Sequence, residues 1–160
     1  MCMQGETETG IEKIHESITR MRTISHYWIG YILFLLTDAC ATTGRIEEGR
    51  KAFEEAWGGT QLSGSRWLRA ELLRLRGCLQ VAEGDCASAE KSYLKALELA
   101  REQNARFWEL RTAVSLARFR AGQQRITEAR SLLHASLDVM PEESETFDRR
   151  EALKLLERMR

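Results

Sequence analysis

The feature that most limits how this chain can fold is a repetition at a spacing of forty residues. Gly44-Arg45-Ile46-Glu47-Glu48-Gly49-Arg50-Lys51-Ala52-Phe53-Glu54-Glu55-Ala56 aligns without a gap onto 84–96, and both align onto 124–136. Each copy runs tiny, large, tiny: Gly49, Phe53, Ala56; then Ala89, Tyr93, Ala96; then Ala129, Leu133, Ser136. Positions i, i+4 and i+7 share one helix face. Such a stripe describes a surface that a second helix approaches closely at two points and is wedged from at a third. A fixed internal period of this size is the mark of stacked supersecondary units rather than of one irregular globule.

The intervening segments repeat as well. Tyr27, Trp67 and Phe107 open a helix in each unit, and Leu36, Arg76 and Leu116 sit near its later turns, with Arg76 breaking the apolar pattern. Each unit is therefore predicted to be two antiparallel helices: 25–42 with 46–59, 65–83 with 86–103, and 105–122 with 126–139. Gly44, Gly84 and Gly122 are expected to end helices or turn the chain, and 58–65 to be the longer loop between units. Upstream, Gly10, Ile14 and Ser17 repeat the stripe with one residue of slippage. This predicts a lone helix over 6–22, an N-terminal cap or the remnant of a longer array. Downstream of Pro141, the stripe Ala152, Leu155, Leu156, Met159 predicts a capping helix over 146–159 that would cover the last repeat. The expected organisation is a single domain, 1–160, with repeats at 25–64, 65–104 and 105–144. One proline and an abundance of Ala, Leu, Glu and Arg make the fold class all-α.

Charge and apolar content narrow the functions. Lys+Arg and Asp+Glu balance at 24 each, so no global field draws the chain to nucleic acid or anionic lipid. The apolar run 27–36 is about half of the ~20 residues needed to span a bilayer and is read as a core helix. MCMQGETETG has neither the basic nor the apolar region of a secretory leader. Cys2, Cys40, Cys78 and Cys86 show no CxxC pairing and are read as free thiols in a reducing cytoplasm.

Motifs for chemistry fail one by one. The glycine-rich 58–65 has no lysine to meet a phosphate. His15-Glu16 is followed by Thr19 where a metalloprotease helix needs its second histidine. His26 and His134 stand alone, and Cys78 and Cys86 flank a turn with no evident base. No catalytic residue, cofactor or metal is expected. Ala89 and Ala96 are expected to reject leucine, with Glu90 as an exposed position that tolerates it.

The middle unit, with Gly77, Gly84, Ala89, Tyr93 and Ala96, resembles the tetratricopeptide repeat, a helix-turn-helix of ~34 residues with small and large residues at these places. Ala117, Ala129, Leu133, Ser136 and Pro141 match the third unit; Thr37, Gly49, Phe53 and Ala56 match the first. The longer period implies longer helices, as in the extended repeats of large bacterial signalling ATPases. The stretch 66–119 and the closing SETFDRREALKLLERM are similar to the C-terminal arrays of bacterial proteins that join a nucleotide cyclase or DNA-binding region to an NTPase and helical repeats.

The resemblance implies an α-α superhelix whose concave groove is lined by Tyr31, Phe34, Asp38, Glu71, Arg74, Cys78, Arg111, Val114 and Arg118. That groove would run from aromatic to basic and suit a peptide with an apolar anchor and an acidic end. The family's carboxylate-clamp Lys and Asn set is not reproduced. The implied function is a non-catalytic protein–protein interaction module or scaffold in a bacterial signalling or transcription-regulating system. It would be cytoplasmic, with no membrane or nucleic-acid partner, and self-associating as a homodimer through an N-terminal end that exposes Trp28, Tyr31 and Phe34. A nucleic-acid-binding array would instead need a continuous basic stripe, and a small enzyme would need a polar cluster that spacing does not show.

Overall fold

A computed structural model describes residues 7–24, 26–62, 66–141 and 145–159, the side chains of 7, 21–28 and 62 excepted. The described residues form α-helices and turns, with no strand among them. In chain order the helices are α1 Thr7–Ile24, α2 His26–Thr43, α3 Ile46–Leu62, α4 Arg69–Ala82, α5 Cys86–Glu102, α6 Arg106–Gly122, α7 Ile126–Asp138 and α8 Phe147–Arg158. The fold is all-α.

The turns inside the repeats share one mechanism. Gly44 and Gly84 adopt φ of 75° and 83°, and Gln124, in the same register, adopts 64°. At each, the next amide reaches back five residues: Arg45 N–H to Cys40 O, Asp85 N–H to Gln80 O, Arg125 N–H to Arg120 O, at 3.0, 2.9 and 2.9 Å. This is the left-handed C-terminal cap that satisfies orphan carbonyls and reverses the chain. Gly122 ends α6 as its last residue, and the left-handed residue of the third turn is Gln124. The register, not the glycine, sets where the chain turns, so Gln124 carries the left-handed strain. Asp85 then caps α5 by accepting the Ser88 N–H at 3.0 Å, and hydrogen bonding from the Ser88 side chain, with this backbone N–H second, holds its carboxyl below the usual range.

The loop expected over 58–65 is shorter than that. α3 continues through Gly58 and Gly59 to Leu62, and α4 begins at Arg69. Glycine inside a helix costs only ~1 kcal/mol against alanine and need not break it. Arg69 ties the junction together by donating to Thr60 O at 3.0 Å.

Neighbouring helices pack in chain order, and α2, α4, α6 and α8 also touch in succession, while the backbones of α1, α3, α5 and α7 do not approach one another. The even helices thus form one continuous row. The odd helices form a second, splayed row, bridged by side chains: His15 bonds Glu48, and Arg125 Nη1 reaches Glu90 at 2.7 Å. The Arg125 hydrogen bond holds Glu90 below the usual carboxylate range, with Arg120 assisting. Glu90 is therefore not the idle surface position that the sequence suggests. α1 and α8 are not in contact, so the rows stay open rather than closing around one centre.

The repeated stripe sits at the hairpin crossings. Ala56, Ala96 and Ser136 have no exposure, and neither have Ala89 and Ala129. A Cβ on Gly49 would lie 2.9 Å from Leu79 Cδ2 and 3.0 Å from Cys40 Cβ. In the middle unit the large residue of the stripe meets a small one on the first helix: a Cβ on Gly77 would stand 2.6 Å from the Tyr93 ring. Arg76, the break in the apolar pattern, is exposed and lies over the Phe53 ring of the preceding unit, 5.9 Å from its centroid.

Candidate functional site

The even helices would line any groove, and their inner side is laced with charge. Arg74 Nη2 on α4 donates to Asp38 Oδ1 on α2 at 3.0 Å and to Glu71 Oε1 at 2.7 Å. Glu71 Oε1 also receives Arg111 Nη1 from α6 at 3.4 Å, and Arg111 Nε donates to Asp148 Oδ2 on α8 at 3.0 Å. A chain of ion pairs thus crosses all four inner helices. Glu71 has no exposure and Arg74 has 7%. Burial works against the Arg74 charge, but the Glu71 carboxylate more than offsets it and holds the guanidinium well above its ordinary pKa. Arg118 pairs with Glu151 of α8.

Of the residues of the predicted groove, these contacts engage Asp38, Glu71, Arg74, Arg111 and Arg118. Phe34, Glu71, Arg74 and Val114 are buried and offer nothing to a ligand in bulk. The three arginines expected to receive an acidic peptide are already matched by carboxylates of this chain. Tyr31 is 38% exposed and its ring stacks on Trp67 at 6.1 Å. With Phe34 buried, the aromatic surface invoked for an N-terminal dimer is smaller than expected, and the Trp28 side chain lies outside the described residues.

Openings among the described residues on this side include the following pair. One, of about 380 Å³, gathers Asp38, Arg74, Cys78 and Arg118 from the predicted set with Tyr93, Ser115 and Phe119. Arg74 Nη1 and the Tyr93 hydroxyl each lie 3.5 Å from Cys78 Sγ, and burial, reinforced by Cys78, pushes the Tyr93 phenol up in pKa. The other, of about 590 Å³, lies where α6 and α8 begin and is walled by Phe107, Trp108, Met140, Pro141 and Phe147. Arg111 is shared with its rim and lies 5.2 Å over the Trp108 ring, while Arg106 stands beside it, exposed. Phe107 and Phe147 are 55% and 49% exposed.

Sequence reasoning missed this second cleft. The signal was present: Phe147 continues the series Tyr27, Trp67, Phe107 at the same spacing. Among the described residues no cluster of His, Cys, Asp and Glu could hold a metal ion, and no helix is long and apolar enough to cross a membrane. No protein-family model matches the chain, and no curated protein matches it.

Proposed function

We propose that this chain is a non-catalytic protein–protein interaction module, a tetratricopeptide-like superhelix that receives a segment of a partner protein at its inner edge. The observation that carries this reading is the cleft at the starts of α6 and α8, where two half-exposed phenylalanines, Trp108 and an exposed arginine surround about 590 Å³ of space. A segment with an apolar anchor next to a carboxylate suits it: the anchor leaves water among the aromatic rings, and Arg106 offers a donor fork at the rim. The inner-wall arginines act as scaffold. The setting in a bacterial signalling or transcription-regulating system comes from the resemblance, and a cytoplasmic location from the cysteine spacing.

The alternative, a nucleic-acid-binding array, has less support. Arg74, Arg111, Arg118, Arg120 and Arg125 all face carboxylates of the chain itself, so these arginines do not make a free basic stripe for phosphates. Panning a displayed random-peptide library on the wild type should enrich aromatic or aliphatic residues beside Asp or Glu. The enriched peptides should lose affinity for Phe107→Asp and Arg106→Glu. Peptides held equally by all three proteins, or no enrichment, would contradict the reading.

A further inference from the structure

The aromatic cleft and the inner wall share two side chains, Arg111 of α6 and Asp148 of α8. Arg111 lies over the Trp108 ring, 5.2 Å from its centroid, and its side chain is 37% exposed. Its Nε and Nη2 both reach Asp148 Oδ2 at 3.0 Å, while Nη1 stands 3.4 Å from Glu71 Oε1. That Glu71 oxygen is held more closely by Arg74, at 2.7 Å. Asp148 is therefore the firm partner of Arg111, and through this pair α6 holds the first turn of α8.

Among the described residues the charged groups that line the cleft are the guanidiniums of Arg106 and Arg111 and the carboxylate of Asp148. Glu145 and Arg149 flank this lining in sequence and are opposite in sign. Two cations thus face one internal anion. Arg106 is exposed, where water weakens an ion pair. Arg111 lies against a ring of the cleft, where an apolar anchor excludes water and strengthens a charged hydrogen bond. Releasing Asp148 leaves it in a favourable place, since it sits in the first turn of α8 at the positive end of the helix dipole. Glu71 keeps Arg74.

We propose that the carboxylate of a segment bound in the cleft takes the place of Asp148 on Arg111, so that filling the cleft exchanges an ion pair within the chain for one with the partner. This inference rests on the reading of the cleft as a peptide site and names what sets its preference for an acid. A neutral occupant leaves the Arg111–Asp148 pair in place and gains nothing from Arg111. An acidic occupant gains Arg111 but competes with Asp148, so the internal carboxylate sets the affinity that an acidic partner reaches. By reciprocity, the same competition loosens the tie between α6 and α8 when the cleft is filled.

Two small probes separate these cases: 2-naphthylacetate, a ring bearing a carboxylate, and the uncharged 2-naphthylacetamide. Each is titrated into the isotope-labelled 160-residue chain. NMR signals of Phe107, Trp108 and Phe147 report occupancy, and the Arg111 Nε–H signal reports the partner of that guanidinium. The acetate should bind more tightly and shift Arg111 Nε–H, and the acetamide should leave that signal in place. Asp148→Asn should tighten the acetate about fivefold and leave the acetamide unchanged. In an Arg111→Gln background, Asp148→Asn should change neither probe. Acetate held in the cleft of the unmutated protein with Arg111 Nε–H unmoved overturns the proposal without need of a variant. So does an Asp148→Asn gain that survives in Arg111→Gln, which would be only the removal of a nearby negative charge. A preference for the acetate that is lost in Arg106→Gln and indifferent to Asp148→Asn overturns it too, and leaves the reading of the cleft standing. If neither probe moves the cleft signals, that reading falls and the proposal with it.

Discussion

The hairpin crossings and the inner wall hold the same helices together by opposite means. At the crossing of α4 and α5, Gly77 and Ala96 remove side chain so that backbone and a tyrosine ring can come close. Along the inner wall, Glu71 and Arg74 put charge into a buried place and pair it across units, from Asp38 to Asp148, while Glu71 Oε2 and Arg74 Nε have no hydrogen-bond partner. Crossings depend on shape and on neighbours within one repeat. The wall depends on pairs 36, 40 and 37 residues apart, so it couples repeats that otherwise meet only through adjacent faces.

The sharpest way to break this contrast is at Glu71, which serves Arg74 and Arg111 at once. Glu71→Ala leaves Asp38 as the one carboxylate paired with the buried Arg74 among the described residues, and should cost about 3–5 kcal/mol in urea unfolding. Asp148→Ala, at the partly exposed end of the same chain of pairs, should cost about 1 kcal/mol or less. Equal losses would mean that burial does not set the strength of the wall.

The crossing is probed next by Gly77→Ala. Overpacking against the Tyr93 ring should cost about 1–3 kcal/mol and outweigh the ~1 kcal/mol that alanine gains in a helix interior. The third unit supplies the control, since Ala117 there lies in register with Gly77 and Leu133 with Tyr93. In a Tyr93→Leu background Gly77→Ala should be neutral or stabilising. A double-mutant cycle with no coupling would remove shape as the explanation.

The smallest effect is at the third turn. Gln124→Gly relieves a left-handed residue and should raise stability by about 0.5–1 kcal/mol, read as a higher melting temperature. A loss would show that the glutamine side chain matters more than its φ.

These regions also explain how much was legible beforehand. The helices, their order and the crossings follow from a stripe that lies within one helix and repeats, so periodicity alone exposes them. Gly122 marks the end of α6, as a glycine at that place predicts, but the left-handed residue falls two positions later at Gln124, because a packed register can impose that conformation on a residue other than glycine. The inner wall was read as a basic groove because its residues were considered on their own helices. Which carboxylate lies opposite Arg111 depends on how adjacent units are offset, and Asp148 sits three residues before the position that strict register would pair. The aromatic cleft was hidden for another reason: Phe147 was assigned to a cap rather than to a fourth first helix.

The central claim is that tiny residues at the crossings set how closely the hairpins pack. The most direct measurement places leucine at two adjacent positions of α5, Ala96, with no exposure, and Lys95, which is exposed. Chemical denaturation should show Ala96→Leu losing about 1–3 kcal/mol and Lys95→Leu unchanged within about 0.5 kcal/mol. Equal stabilities for the two variants would contradict the account.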